Sequence, residues 1–369
     1  MLKIAASTAA IAAVYLSACA AAPPTEPVSA SNDQSAVAPF DNFYDVAWIR
    51  SADGSVRTLE QVADELSSFD VVFFGEYHSH SGNHLAQMQM FEALHKRFAN
   101  MSLSLEQFER DTQPLVNQYL AGEIGEKVLE KDARAWDNYK ESYRPLVEYA
   151  VEHELPVIAA NAPKNIVICV GKKGVEILNE IPDPDRSWIA AELHVEEGAY
   201  LDKYIDTMAG TSHGGGGGDT DDESMAELSP MMRAMVLKSF AAQVTRDDTM
   251  AESIALHLHD HPDRRVLHLN GHFHSASHLG TVERLQKRMP DLKIAVINPI
   301  AVEDNRVPAW SDEDLGTGDY LLLVRNMPTS FVSDENELEF QREIMSKRAG
   351  NKCEYAEDDA SEKSMGDAQ

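Results

Sequence analysis

The chain has 369 residues, 43% of them hydrophobic, which is enough for one large core without disulfide or metal staples. Its 61 acidic residues against 32 basic ones give a formal charge of −29 at pH 7, arguing against nucleic acid and anionic membrane surfaces as partners. The excess reads as a solvated acidic surface that attracts cations weakly and in a salt-dependent way.

Residues 1–19 form a targeting segment. Lys3 supplies the charge, Ile4 to Leu16 the apolar stretch, and Leu16-Ser17-Ala18-Cys19 closes it in a pattern that resembles a bacterial lipobox. By that resemblance, cleavage leaves Cys19 as the lipidated first residue, and Ala20 after it, similar to sorted lipoproteins, implies the outer membrane, facing the periplasm. No later stretch is long enough to span a bilayer, so the lipid on Cys19 is the expected membrane contact. Residues 20–40, small, polar and Pro-bearing, read as a flexible tether. The folded body is expected over 41–324. Thr58 and Gln61 form a capping box that opens a helix through Leu66.

Val71 to Phe74 is an apolar run of the kind that marks a strand buried on both faces, and it stops at Gly75. Glu76, Tyr77, His78, His80 and His84 follow, then a helix with Leu85, Met88, Phe91, Leu94 and Phe98 at helical spacing. Met101 to Glu106 reads as a second strand that ends in an acid, Gln113 to Tyr149 as helices, and Leu155 to Ala160 as a third strand. A helical insertion over about 186–260 contains a Gly-rich disordered loop, 209–224, with His213 and Gly214 to Gly218. The long helix from Pro230 to His261 carries Met231, Met232, Met235 and Met250, a stripe read as core or as the lining of a flat ligand. Val266 to Leu269 is the fourth strand, followed by Gly271, His272, Phe273, His274 and His278. A helix to Met289 and strands at Leu292 to Ile297 and Tyr320 to Val324 complete an α/β fold with a mainly parallel central sheet flanked by helices. Residues 325–369 read as an acidic tail, mostly disordered, with one helix around Leu338 to Met345. Cys169 reads as a small buried hydrophobe and Cys353 as part of the polar tail, with no disulfide expected between them.

The chemistry gathers where Gly-x-x-His occurs twice, at Gly75/His78 and Gly271/His274. Ligands of open α/β sheets bind at the carboxyl ends of strands. Glu76, His78, Glu106 and His274 therefore form the candidate site. Two chemistries fit them. Imidazoles and carboxylates suit a divalent transition metal that activates water for hydrolysis; alternatively, a His or Tyr binds haem iron. His80, His84, His272 and His278, taken singly, read as helix caps or solvent-facing residues. His80/His84 and His274/His278 are each four apart, however, and Tyr77, His84 and His278 stay as candidate haem contacts. His194 and His213 default to the surface, and the 257/259/261 histidine cluster to no role. No Gly-x-Ser-x-Gly elbow and no His-Glu-x-x-His motif occurs.

The pieces VVFFGEYHSHSGNH, LSLEQFERDTQPLVNQYLAG, YRPLVEYAVEHELPVIAANAPK, QVTRDDTMAESIA and VLHLNGHFHSASHLG, in this order, resemble the ChaN family of haem-binding lipoproteins, within the larger Tiki/TraB and erythromycin-esterase-like group. The resemblance covers roughly residues 59 to 300. It implies a lipid-anchored envelope protein that binds haem for iron uptake or storage, with an α/β body and a helical insertion. It also implies Gly75, His78, Gly271, His274 and an acid, Glu76 or Glu106, as the site. A homodimer around haem is a further expectation, and a metal-dependent protease or esterase is the alternative.

Overall fold

The computed structural model describes residues 37–212 and 229–355. Cys19 and its lipobox, the tether up to residue 36, His213 with the glycines after it, and residues 356–369 lie outside the described residues. Two short strands come first, β1 (Val46–Arg50) and β2 (Ser55–Arg57), then α1 (Leu59–Leu66), β3 (Val71–Glu76), α2 (Ser81–Arg97) and β4 (Met101–Glu109). Helices α3 (Gln113–Leu120), α4 (Glu126–Asp132), α5 (Tyr139–Ser142) and α6 (Arg144–Glu152) lead to β5 (Val157–Asn161). After α7 (Lys164–Lys173), α8 (Ala199–Ser212) and the long α9 (Pro230–Asp260) come β6 (Arg265–Gly271), α10 (Thr281–Arg288), β7 (Ile294–Ala301), α11 (Asp312–Leu315), β8 (Tyr320–Val324) and α12 (Asp334–Gly350).

The strands form one sheet in the order β2-β1-β8-β7-β3-β6-β4-β5. From β8 to β5 every pairing is parallel; β1 runs antiparallel to β8 and β2 to β1. Central β3 explains why its sequence is an unbroken apolar run. Val72 and Phe74 enter the core shared with α1, α2 and α6, while Val71 and Phe73 enter the one under α9 and α10. Both faces are covered by helices, the arrangement parallel sheets require. Thr58 and Gln61 cap α1 reciprocally, as their spacing predicts.

Four features differ from the sequence expectations. The β1–β2 hairpin escapes the pattern because it is short and half-buried, and alternates around a turn at Gly54. α8 continues to Ser212, so residues 209–212 are helical rather than loop. The methionine stripe is not core: Met231 and Met235 are 73% and 64% exposed, Met232 is exposed too, and only Met250 of the four is buried. The tail beyond Arg325 carries the 17-residue α12 and then folds back, so that Cys353 is disulfide-bonded to Cys169 of α7. Cys353 and Tyr355 join an apolar cluster with Ile166, Cys169 and Ile181, and the Tyr355 hydroxyl donates to Asp185 at 2.7 Å. A few apolar anchors in a polar segment were enough to dock it.

Candidate functional site

The carboxyl ends of β3, β6 and β4 meet at one sheet edge, with Glu76 in register with Gly271 and β4 running on to Glu109. Both motif heads are crowded, Gly75 by the backbone of His272 and Gly271 by the ring of His78. A Cβ on Gly75 would stand 3.0 Å from the Cα of His272, and one on Gly271 would stand 2.9 Å from Cε1 and Nε2 of His78. Each Gly-x-x-His motif thus makes room for the other.

Glu76 is fully buried and anchors His78. Its Oε1 accepts from Nδ1 of His78 at 2.8 Å, the Tyr143 hydroxyl at 2.5 Å and Gln107 Nε2 at 3.1 Å; its Oε2 accepts from Gln87 Nε2 at 2.8 Å. These donors satisfy a carboxylate that has no access to water. Burial and then Glu76 push the Tyr143 phenol far up, so it remains a donor. The His78 side chain is 49% exposed and packs edge-on against Trp136 at 5.0 Å. Burial lowers its pKa most, but the hydrogen bond to Glu76 and the charges of Glu106 and Glu76 together outweigh it and the net shift is upward. With Nδ1 committed, Nε2 is the nitrogen left for a ligand, oriented as carboxylate-held histidines are in metal proteins.

His274 is built differently. It is buried, donating from Nδ1 to Asp247 Oδ1 at 2.7 Å, with Nε2 3.5 Å from Glu106 Oε1. Burial opposes its charge, yet Glu106 and then Asp247 raise its pKa to about 10. Glu106 is held well below the usual carboxylate range, because His274 and His78 outweigh its desolvation; its Oε2 also accepts from the Gly271 N–H at 2.7 Å. Asp247 in turn accepts from the hydroxyls of Tyr200 at 2.6 Å and Thr281 at 2.8 Å. An imidazolium between two carboxylates offers no lone pair, so His274 positions Glu106 rather than ligating.

The remaining candidates separate clearly. Tyr77 is half-buried, its ring 4.8 Å from that of His272 and its hydroxyl accepting from the Ala301 N–H at 3.4 Å; burial raises its pKa. His272 is kept neutral by burial, which lowers its pKa to about 4. His84 is buried and uses both nitrogens, Nε2 on the His78 carbonyl at 3.0 Å and Nδ1 on Gln87 at 3.0 Å. It braces the His78 backbone and cannot contact haem iron. His80 caps α2 and reaches the Arg325 carbonyl at 2.8 Å. His278 is exposed and pairs with Asp319 at 3.1 Å, leaving the cluster for another loop. His194 is not a free surface residue, since it binds Asp248 at 2.8 Å; His257 binds Ser102 at 2.9 Å. Gln87, Gln107, Tyr143, Gln243 and Asp247 were not anticipated. The signal for Asp247 was present, as Arg246-Asp247-Asp248 interrupts an apolar helix.

Among the described residues no three His, Cys, Asp or Glu side chains stand together as a metal-ion site. For haem iron the residues present offer the half-exposed imidazole of His78 beside the aromatic Trp136. Trp136 and Asn138, which donates to the His78 carbonyl at 2.7 Å, also line a cavity of about 790 Å³ with Ala135, Lys164, Ile168 and Glu354. No helix among the described residues is long and apolar enough to cross a membrane.

A family model described as haem-binding uptake, Tiki superfamily, ChaN matches residues 62–285. Among solved structures, the chain is similar to ChaN of Campylobacter jejuni, described by its cofacial haem binding. The two are 18% identical with a TM-score of 0.55, over 76% of this chain and 98% of that one. At that identity the likeness concerns the fold, which both share. An erythromycin esterase mutant, EreC in its open conformation, is 11% identical with a TM-score of 0.43, over 78% of this chain and 99% of the other. No curated protein matches the sequence.

Proposed function

The chain belongs to the ChaN haem-binding uptake family of the Tiki superfamily, and on that footing we propose that it binds haem through Nε2 of His78. The observation that carries this is the half-exposed imidazole whose Nδ1 is held by a buried carboxylate with four donors. Such a ligand is fixed in tautomer and direction before iron arrives. When bound, haem supplies an iron centre to carry or store. The chain's own residues orient His78, through Glu76 and Asn138, and flank it with Trp136. Tyr77 stands beside His272 as the second candidate donor.

The reading extends to a lipid on Cys19, an outer-membrane position facing the periplasm, and haem shared between two copies. An exposed ligand on one chain leaves an iron face for another. Radiolabelled palmitate that enters the wild type but not a Cys19→Ala chain supports the anchor, and haem-dependent dimerisation in light scattering supports the sharing.

A second reading, hydrolysis with His78 as general base, draws on the same imidazole–carboxylate pair. Haemin titration separates the two. A saturable Soret shift in the wild type that His78→Ala abolishes supports haem binding. No shift, together with turnover of ester or peptide substrates that His78→Ala abolishes, replaces it with the second reading.

A further inference from the structure

The loop between β6 and α10 carries Gly271 against the ring of His78, His272 beside Tyr77, and His274, so its course shapes the site. Its backbone is strained. Ser277 and His278 both stand in the left-handed region, at φ 63° and 57°, a conformation that residues other than glycine keep only where their surroundings hold it. The stretches His272–His274 and Ala276–His278 are single helical turns, too short for a hydrogen-bond ladder that would use their carbonyls.

A donor arrives from 70 residues upstream. Lys203, half-buried on α8, donates from Nζ to the Phe273 carbonyl at 2.9 Å and to the Ala276 carbonyl at 2.8 Å. The same ammonium lies 4.9 Å from the centre of the Phe273 ring, which packs on Tyr200 of α8 at 5.4 Å. Ala276 directly precedes the two left-handed residues, and the Ser277 N–H donates to the Thr317 carbonyl at 2.7 Å. The strained pair is therefore pinned by Lys203 and by the segment before β8. Burial works against the charge of Lys203 and pulls its pKa down to about 8.

We propose that Lys203 is a positioning residue of the ligand site: from the helical insertion it fixes the β6–α10 loop, and through Gly271 it fixes where the His78 ring stands. The effect on a ligand rests on the haem reading; the hold on the loop rests on these contacts. Without the ammonium, two carbonyls lose their donor and the left-handed pair relaxes, carrying Gly271 with it. His274 remains tied to Asp247, so the loop loosens without unfolding.

The test uses the full-length chain in one detergent at pH 7. Lys203→Met keeps the length of the side chain and removes its donors, and Lys203→Arg supplies donors for both carbonyls. Lys238→Met is the control, since Lys238 donates to the Lys172 carbonyl at 3.4 Å and touches nothing in the loop. Haemin affinity should fall about tenfold in Lys203→Met, and the Soret band of the saturated complex should move because the iron meets a displaced imidazole. Lys203→Arg should restore most of both, and Lys238→Met should change neither. A less stable Lys203→Met with the affinity and Soret band of the wild type overturns the proposal. A second arm needs no haem. It follows the rate at which diethyl pyrocarbonate modifies His78, by peptide mass spectrometry, against the exposed His153. Lys203→Met should speed the modification of His78 severalfold and leave His153 unchanged, and Lys203→Arg should reverse the change. If the wild type takes up no haemin, the haem reading falls and this arm decides alone: a faster His78 in Lys203→Met supports the positioning role, and an unchanged rate overturns it.

Discussion

His78 and His274 occupy equivalent places in two copies of one motif, yet one faces solvent and the other is locked between acids. The difference lies in what surrounds each Nε2. Beside His78 it is Gly271, and the absence of a side chain there is what lets the ring sit where it does. A methyl group on Gly271 would come within 2.9 Å of the ring, whose far end can swing away. Gly271→Ala should therefore leave the protein folded, with a melting temperature close to wild type, while haem affinity falls by about tenfold or more through misplacement of the ligand. Unchanged affinity in a haemin titration would show that the close approach is incidental. Tyr143→Phe probes the other side of the ring. It takes a hydroxyl from a buried carboxylate and should cost roughly 1.5–3 kcal/mol in denaturant unfolding, with a smaller loss of binding. The glycines and histidines of this site could be read from sequence because the motif fixes both their spacing and their place at a strand end. Tyr143, Gln87 and Asp247 could not, since each projects from a helix whose rotation is set only by tertiary packing. The partners of His84 and His278 are hidden from the sequence for the same reason: four-residue spacing gives a helix face and says nothing of what that face meets.

α9 shows how one element can serve two environments. Its C-terminal half, with Met250, Ile254 and Leu258, packs on the sheet, and its N-terminal end exposes three methionines. Periodicity alone cannot distinguish these halves, because a helical stripe looks the same whether or not a partner covers it. Between them Asp247 ties α9 to the loop after β6 through His274. Removing one partner of a buried ion pair typically costs 3–5 kcal/mol, so Asp247→Asn should lower stability by about that amount. The pH dependence follows from the direction of the shift. His274 is raised from an ordinary 6.5 to about 10, so the stability it contributes is full below about pH 6.5 and is lost as the pH climbs towards 10. Glu106 and Asp247 are shifted down, so their share is present above the ordinary carboxylate range and is lost on acidification. Melting temperatures of the wild type should fall between pH 6.5 and 10, and Asp247→Asn should flatten that fall. Parallel curves for the two proteins would show that the His274 pair does not carry the slope.

At the scale of the molecule, the central sheet was legible because strands covered on both faces leave apolar runs. The edge hairpin and the C-terminal segment were not, since each contributes only a few buried residues to a structure made elsewhere. The segment nevertheless reaches the site. Glu354 lines the cavity that also contains Trp136 and Asn138, and Cys353 and Tyr355 hold it against α7. The disulfide joins residues 184 positions apart, and a cross-link over so long a loop removes much of the freedom of the unfolded chain. A bond of this kind persists in oxidising compartments, in keeping with the envelope location proposed from Cys19. Replacing Cys353 with Ser should lower stability by about 2–4 kcal/mol and leave Cys169 as a buried thiol. Its local effect should be larger than its global one. Freed from α7, residues 351–355 would leave one wall of the cavity open, and limited proteolysis should cut between α12 and Tyr355 before it touches the sheet. If the variant instead resists cleavage there as well as the wild type does, the Tyr355–Asp185 hydrogen bond and the apolar contacts suffice to hold the wall, and the cross-link acts only on the unfolded chain.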